Sequence, residues 1–172
     1  MDVQNPPNYS RTQIILHWTV AVLVIMQFLL HDGVEHVWDA YEDGIAPPQG
    51  DIPLAYLHVA TGATILILAL WRLYLRLTRG APPLPEQHHP LLKAVARITH
   101  YLLYALIIGL PVLGASAWFL GIEAAAELHA ALTPVLFWTA LVHIAGGLAE
   151  HFIFRTNVLK RMLGIEPKPA SN

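Results

Sequence analysis

Cysteine is absent from the 172 residues. That excludes disulfides, iron–sulfur clusters, thiolate-ligated haem and haem attached through a Cys-x-x-Cys-His motif, so any cofactor must be held by other side chains. Charge is scarce as well. Only 13% of the residues are Asp, Glu, Lys or Arg against 55% hydrophobic, too few ionic groups to surround a soluble domain of this size. The chain also lacks low-complexity runs, internal repeats and any polar stretch long enough for a soluble domain. With a net charge of −2, nucleic acid is not an expected partner.

What is present is apolar length. Residues 14–31, 52–77, 98–120 and 128–154 each approach or exceed the roughly 20 helical residues that cross a bilayer core of about 30 Å. The expected fold is all-α, an integral membrane four-helix bundle, with residues 1–172 as a single membrane domain. The first apolar run is longer than the roughly 7–15 residues of a secretory signal core and no small-x-small cleavage site follows it, so it is expected to remain in the mature protein. Ala81 to Pro90, with Pro82, Pro83, Pro85 and Pro90, reads as the loop between the second and third helices, because proline disrupts helix interiors.

All ten Lys and Arg residues fall on one side of this arrangement: Arg11; Arg72, Arg76, Arg79, Lys93 and Arg97; and Arg155, Lys160, Arg161 and Lys168. The retention of basic residues on the cytoplasmic side places both termini and the second loop inside, in a bacterial inner (cytoplasmic) membrane. The other two loops carry Asp32, Glu35, Asp39, Glu42, Asp43, Asp51, Glu123 and Glu127 and no basic residue. Such a surface draws cations in and turns anions away.

Ten histidines are present, an excess for a small membrane protein, and ionisable or metal-binding groups within spans mark function because burying them is costly. They sort by depth. His17, His100, His143 and His151 lie towards the inner side, His31, His36, His58 and His129 towards the outer side, and His88 and His89 in the inner loop. His129 and His143 are 14 residues apart, nearly four helical turns, so they share one face at about 21 Å along the axis. One helix thus offers a ligand to each leaflet. Facing helices of a bundle can supply axial imidazoles to haem iron. The inner partner is His17 or His100, the outer His58 or His31, and spacing alone leaves both choices open. Gly62, four residues after His58, and Gly146 and Gly147 after His143 suit either a flat macrocycle or close helix packing. Arg72, 14 residues beyond His58, and Arg76 a turn further on suit haem propionates or lipid headgroups. His31, His36, His88 and His89 read most simply as surface groups.

Tyr9-Ser10-Arg11, His17-Trp18, His58 with Gly62 and the Arg72–Arg76 helix end, His100-Tyr101 leading into Leu110-Pro111-Val112-Leu113-Gly114, and the His129 and His143 pair together resemble the prokaryotic cytochrome b561 family of four-helix, di-haem membrane proteins, over nearly the whole chain. The resemblance implies two non-covalent, bis-histidine b-type haems, an inner one on His17 and His143 and an outer one on His58 and His129, with His31 and His100 beside them or at the surface. It also implies oxidation of superoxide and reduction of ubiquinone. Candidate quinone contacts at the inner end are His100, Arg97, Glu150 and His151, able to hydrogen-bond carbonyls or move protons. Glu150 and His151 equally suit a helix cap. On the outside, the acidic loops favour a basic redox protein over the superoxide anion as donor.

Two further readings compete. The chain has the form of a haem-bearing anchor subunit for a larger dehydrogenase or hydrogenase, and its histidines suggest a divalent-metal transporter. The second is disfavoured because transport sites place carboxylates with histidines inside the spans.

Overall fold

The structure is a computed structural model describing residues 8–83 and 89–165; Pro85, His88 and Lys168 lie outside them. It is all-helical over those residues, with four helices long and apolar enough to cross a membrane. In chain order the elements are α1 (Arg11–Leu29), α2 (His31–Glu42), α3 (Ile52–Arg79), α4 (Pro90–Leu120), α5 (Glu123–Phe152) and α6 (Val158–Met162).

The ends of these helices follow from local chemistry. Ser10 caps α1: its hydroxyl accepts from the Gln13 backbone and the Gln13 side chain accepts from Ser10 N–H, a reciprocal box that satisfies two donors. Gly80, at φ 74, stops α3 in a conformation open to glycine. α4 begins at Pro90, well before residue 98, because a proline at the first helical position loses no intrahelical bond and His89 caps it. α5 likewise begins at Glu123 rather than 128, since Ala124–Ala126 are strong helix formers and a carboxylate suits the positive helix start.

The outer segment after the first span is not the simple loop expected from its polarity. Residues His31–Glu42 form α2, whose buried positions are Gly33 and Ala40, seven residues and two turns apart. A Cβ at Gly33 would stand 2.6 Å from Cβ of Leu54, so only glycine lets α2 lie this closely on α3. His36 Nδ1 meets Asp51 Oδ2 at 2.8 Å and ties α2 to the start of α3. That hydrogen bond, reinforced by the charges of Asp51, Asp32 and Glu35, holds the exposed His36 above its ordinary pKa of 6.5. A raised histidine pKa stabilises fully below the unfolded value and less as pH climbs through the folded one. Wild type and Asp51→Asn should therefore differ in thermal stability below pH 6.5 and converge above the raised value. A gap independent of pH would exclude the protonated pair as its source.

Backbone packing runs α1 on α3, α3 on α4 and α4 on α5, with α2 on α3 and α6 on α5. Val20, Ala69, Leu106, Ile107, Leu110 and Leu136 form the buried core. It draws on all four long helices and lies between the depths of the two histidine layers. Ile15, Val22, Ile25, Tyr74 and Trp138 are exposed, as expected of lipid-facing side chains. The ends are pinned by polar contacts. Gln13 Nε2 donates to Gly80 O at 3.0 Å, and Trp18 Nε1 donates to Met162 O at 2.8 Å, gathering the start of α1, the end of α3 and α6 at the basic end.

Candidate functional site

Helical periodicity turns His129 and His143 of α5 to one side, and each meets a ring from another helix. His17 of α1 and His143 have centroids 6.0 Å apart at 66° between planes, and His58 of α3 and His129 are 6.2 Å apart at 63°. Two imidazoles on opposite sides of one metal ion, with bonds of about 2 Å and ring centres about 1 Å behind each nitrogen, hold their centroids about 6 Å apart. Both pairs have that separation. His100 of α4 is closer to His143, at 5.0 Å and 82°, which is shorter than that separation. His31 instead pairs with Glu35 on α2, Nδ1 to Oε2 at 3.5 Å.

The outer nitrogens of these rings differ in their support. His129 Nδ1 donates to Leu110 O at 2.8 Å and His100 Nδ1 to Ala96 O at 2.6 Å. A carbonyl can only accept, so each bond fixes the tautomer that leaves Nε2 with its lone pair. Among the described residues the buried Nδ1 atoms of His17, His58 and His151 have no hydrogen-bond partner.

Gly114 carries a role that the sequence reading did not separate from its motif. A Cβ there would stand 3.1 Å from Cε1 and 3.2 Å from Nδ1 of His129, so the bare backbone is what lets this ring lie against α4 and reach Leu110 O. The available signal was a glycine three residues beyond Pro111 in the middle of an apolar helix. Gly62 also changes meaning. Its missing Cβ faces Gln27 Nε2 at 3.1 Å, and Gln27 Nε2 donates to His58 O at 3.1 Å. This glycine admits a polar side chain from α1. Gly146 and Gly147 have open space where a Cβ would stand.

At the basic end, the guanidinium carbons of Arg72 and Arg76 each lie 5.7 Å from the Tyr104 ring centre, within cation–π range. A cavity there is lined by Tyr9, Gln13, Arg72, Arg76, Ala81, Tyr104 and Met162, which brings together two cations and no carboxylate. Burial pushes the Tyr9 phenol up, although Arg76 and Arg72 pull it the other way. Of the candidate quinone contacts none lines this cavity. Arg97 is exposed near the start of α4, Glu150 accepts from the Thr156 hydroxyl at 2.7 Å beyond the end of α5, and the His151 ring stands against Phe152 at 4.8 Å.

Residues 8–164 match the family model described as prokaryotic cytochrome b561. The chain belongs to that family. It is 32% identical to a protein named cytochrome b562 of Cereibacter sphaeroides, over 91% of this chain and 96% of the relative. It is 25% identical to a probable superoxide oxidase CybB of Yersinia pestis, over 90% and 95% of the two chains, and 28% identical to cytochrome b561 homolog 2 of Escherichia coli K12, over 92% and 93%. As a cytochrome of this family the chain is a bacterial membrane protein that transfers electrons with b-type haem. Among the described residues its one group of three metal-ligating side chains that includes a carboxylate is His31, Asp32 and Glu35, on α2 outside the spans.

Proposed function

We propose that this cytochrome holds two haems, an inner one on His17 and His143 and an outer one on His58 and His129, and passes electrons across the inner membrane between a periplasmic donor and ubiquinone. The observation that carries the reading is the recurrence of one ring separation, 6.0 and 6.2 Å, at two depths of the same helix. The residues suit the group. His129 is set with Nε2 available, and Gly146 and Gly147, a turn beyond His143, leave room beside the backbone. Haem supplies the one-electron couple.

The chain's own residues do the rest. Arg72 and Arg76, paired guanidinium groups with no carboxylate in the cavity they line, would hold the carboxylates of the inner haem. The apolar core between the layers excludes water from the interval. The inner end works on ubiquinone, with His100 and, further out, Arg97, Glu150 and His151 as its contacts. Both termini are cytoplasmic and the whole chain is one membrane domain. The eight outer carboxylates favour a basic redox protein as donor, with superoxide the other substrate of interest.

Oxidised and dithionite-reduced spectra of the detergent-purified protein, with pyridine haemochrome quantification, test the assignment. Two six-coordinate, low-spin b-type haems per chain are expected. One haem per chain would remove the two-site reading, and a colourless protein expressed with ample haem would remove the electron-transfer reading altogether.

A further inference from the structure

We infer that Gln27 is a positioning residue for the outer haem, accepting the Nδ1 proton of His58 through its side-chain oxygen; this rests on His58 being an axial ligand.

Gln27 lies inside α1, where an amide is costly without partners. Its Nε2 donates to the backbone oxygen of His58 at 3.1 Å. Since that oxygen can only accept, the amide must present its nitrogen there, and Oε1 is left for another group. Oε1 is the one buried side-chain oxygen without a hydrogen-bond partner among the described residues. His58 Nδ1 is likewise buried and partnerless. An unpaired acceptor and an unpaired ring nitrogen thus belong to two residues already joined, through the His58 backbone, by a hydrogen bond, and a buried polar atom left so is costly.

Ligation decides the sense of the missing bond. A neutral imidazole that gives Nε2 to a metal carries its proton on Nδ1, so a ligating His58 is a buried donor in need of an acceptor. His129 meets the same need with Leu110 O. His58 Nδ1 has no such carbonyl, and a turn about the last torsion of Gln27, which is broad for an amide, exchanges the bond to the His58 backbone oxygen for one from Nδ1 to Oε1. Gly62 makes this arrangement possible, because a Cβ there would stand 3.1 Å from the Gln27 nitrogen.

An accepted Nδ1 proton makes the imidazole a stronger donor to iron and favours the ferric state. Gln27→Leu should therefore keep two haems per chain, raise the potential of the outer haem alone and alter one of the two ferric low-spin EPR signals. The expected size is about tenfold in the ferric-to-ferrous ratio, 59 mV for a one-electron couple. Gln27→Glu retains an acceptor oxygen and should give an outer potential at or below that of wild type. Unchanged potentials and EPR signals in the leucine variant would overturn the inference, as would equal upward shifts in both variants, which mark a packing effect. If the leucine variant loses the outer haem, the glutamate variant decides. A retained haem of unraised potential supports the inference, and a lost or raised one overturns it. His58→Leu, made alongside, separates the two levels. If it keeps the outer haem, His58 is not a ligand, and the underlying assignment falls together with the inference.

Discussion

His143→Leu should take the protein from two haems per chain to one, with the surviving haem keeping the spectrum and potential of the outer site. Leucine has no lone pair to offer iron, and removing one axial ligand leaves His17 facing an apolar side chain. His17→Leu should lose the same haem, and the double variant should be no worse than either single one, because on the proposed pairing both residues serve one site. The surviving haem reports that the bundle still folds. His100 provides the discriminating control. Its ring is nearer to His143 than that of His17, 5.0 against 6.0 Å, and so falls short of the roughly 6 Å that two imidazoles on one metal ion would keep. His100→Leu should retain both haems. Loss of the inner haem in that variant but not in His17→Leu would exchange the two assignments, and loss of both haems from His143→Leu would end the two-site pairing.

The second large effect is expected at a residue with no functional group. In Gly114→Val the new Cβ would stand 3.1–3.2 Å from the His129 ring, and its two methyls make the contact worse. The ring must swing away from α4, which breaks the bond to Leu110 O and misdirects Nε2. Loss of such an orienting bond weakens metal sites about 10–100-fold, so the outer haem should be depleted on purification while the inner one remains. Gly109→Val is the matched control on the same helix, since no atom lies within 4 Å of a Cβ there, and it should keep both haems. Equal haem loss in the two variants would point to general helix disruption.

Several of these features are legible without coordinates. Four spans follow from apolar length, and two histidine layers follow from helical rise, as does the sharing of both by α5. The pairing of His17 with His143 and of His58 with His129 was not derivable from spacing, which left His100 and His31 open. It came from family resemblance and is a proposal, for which the 6.0 and 6.2 Å ring separations are the support. α2 was missed because a polar, acidic segment between spans reads as loop, whereas its stability rests on a close approach of Gly33 to Leu54 that no local pattern encodes. Gly62 was read for the space it leaves, and the occupant of that space, Gln27, is 35 residues earlier in the chain. Gly114 shows the same difficulty: what a missing side chain permits is decided by the helix it faces.

Because α5 supplies a histidine to each layer, the interval between the layers is set within one helix, which runs on through Pro134 although that residue donates no bond to its ladder. A four-helix protein with its ligands on separate helices would hold that interval by packing, and sliding or tilting of one helix would change it. Here a thicker or thinner bilayer can tilt the whole bundle, the usual accommodation to mismatch, yet the ruler tilts with it and its graduations stay put. The intramolecular electron-hopping rate should accordingly be a property of the polypeptide, indifferent to the lipid in which the protein is reconstituted.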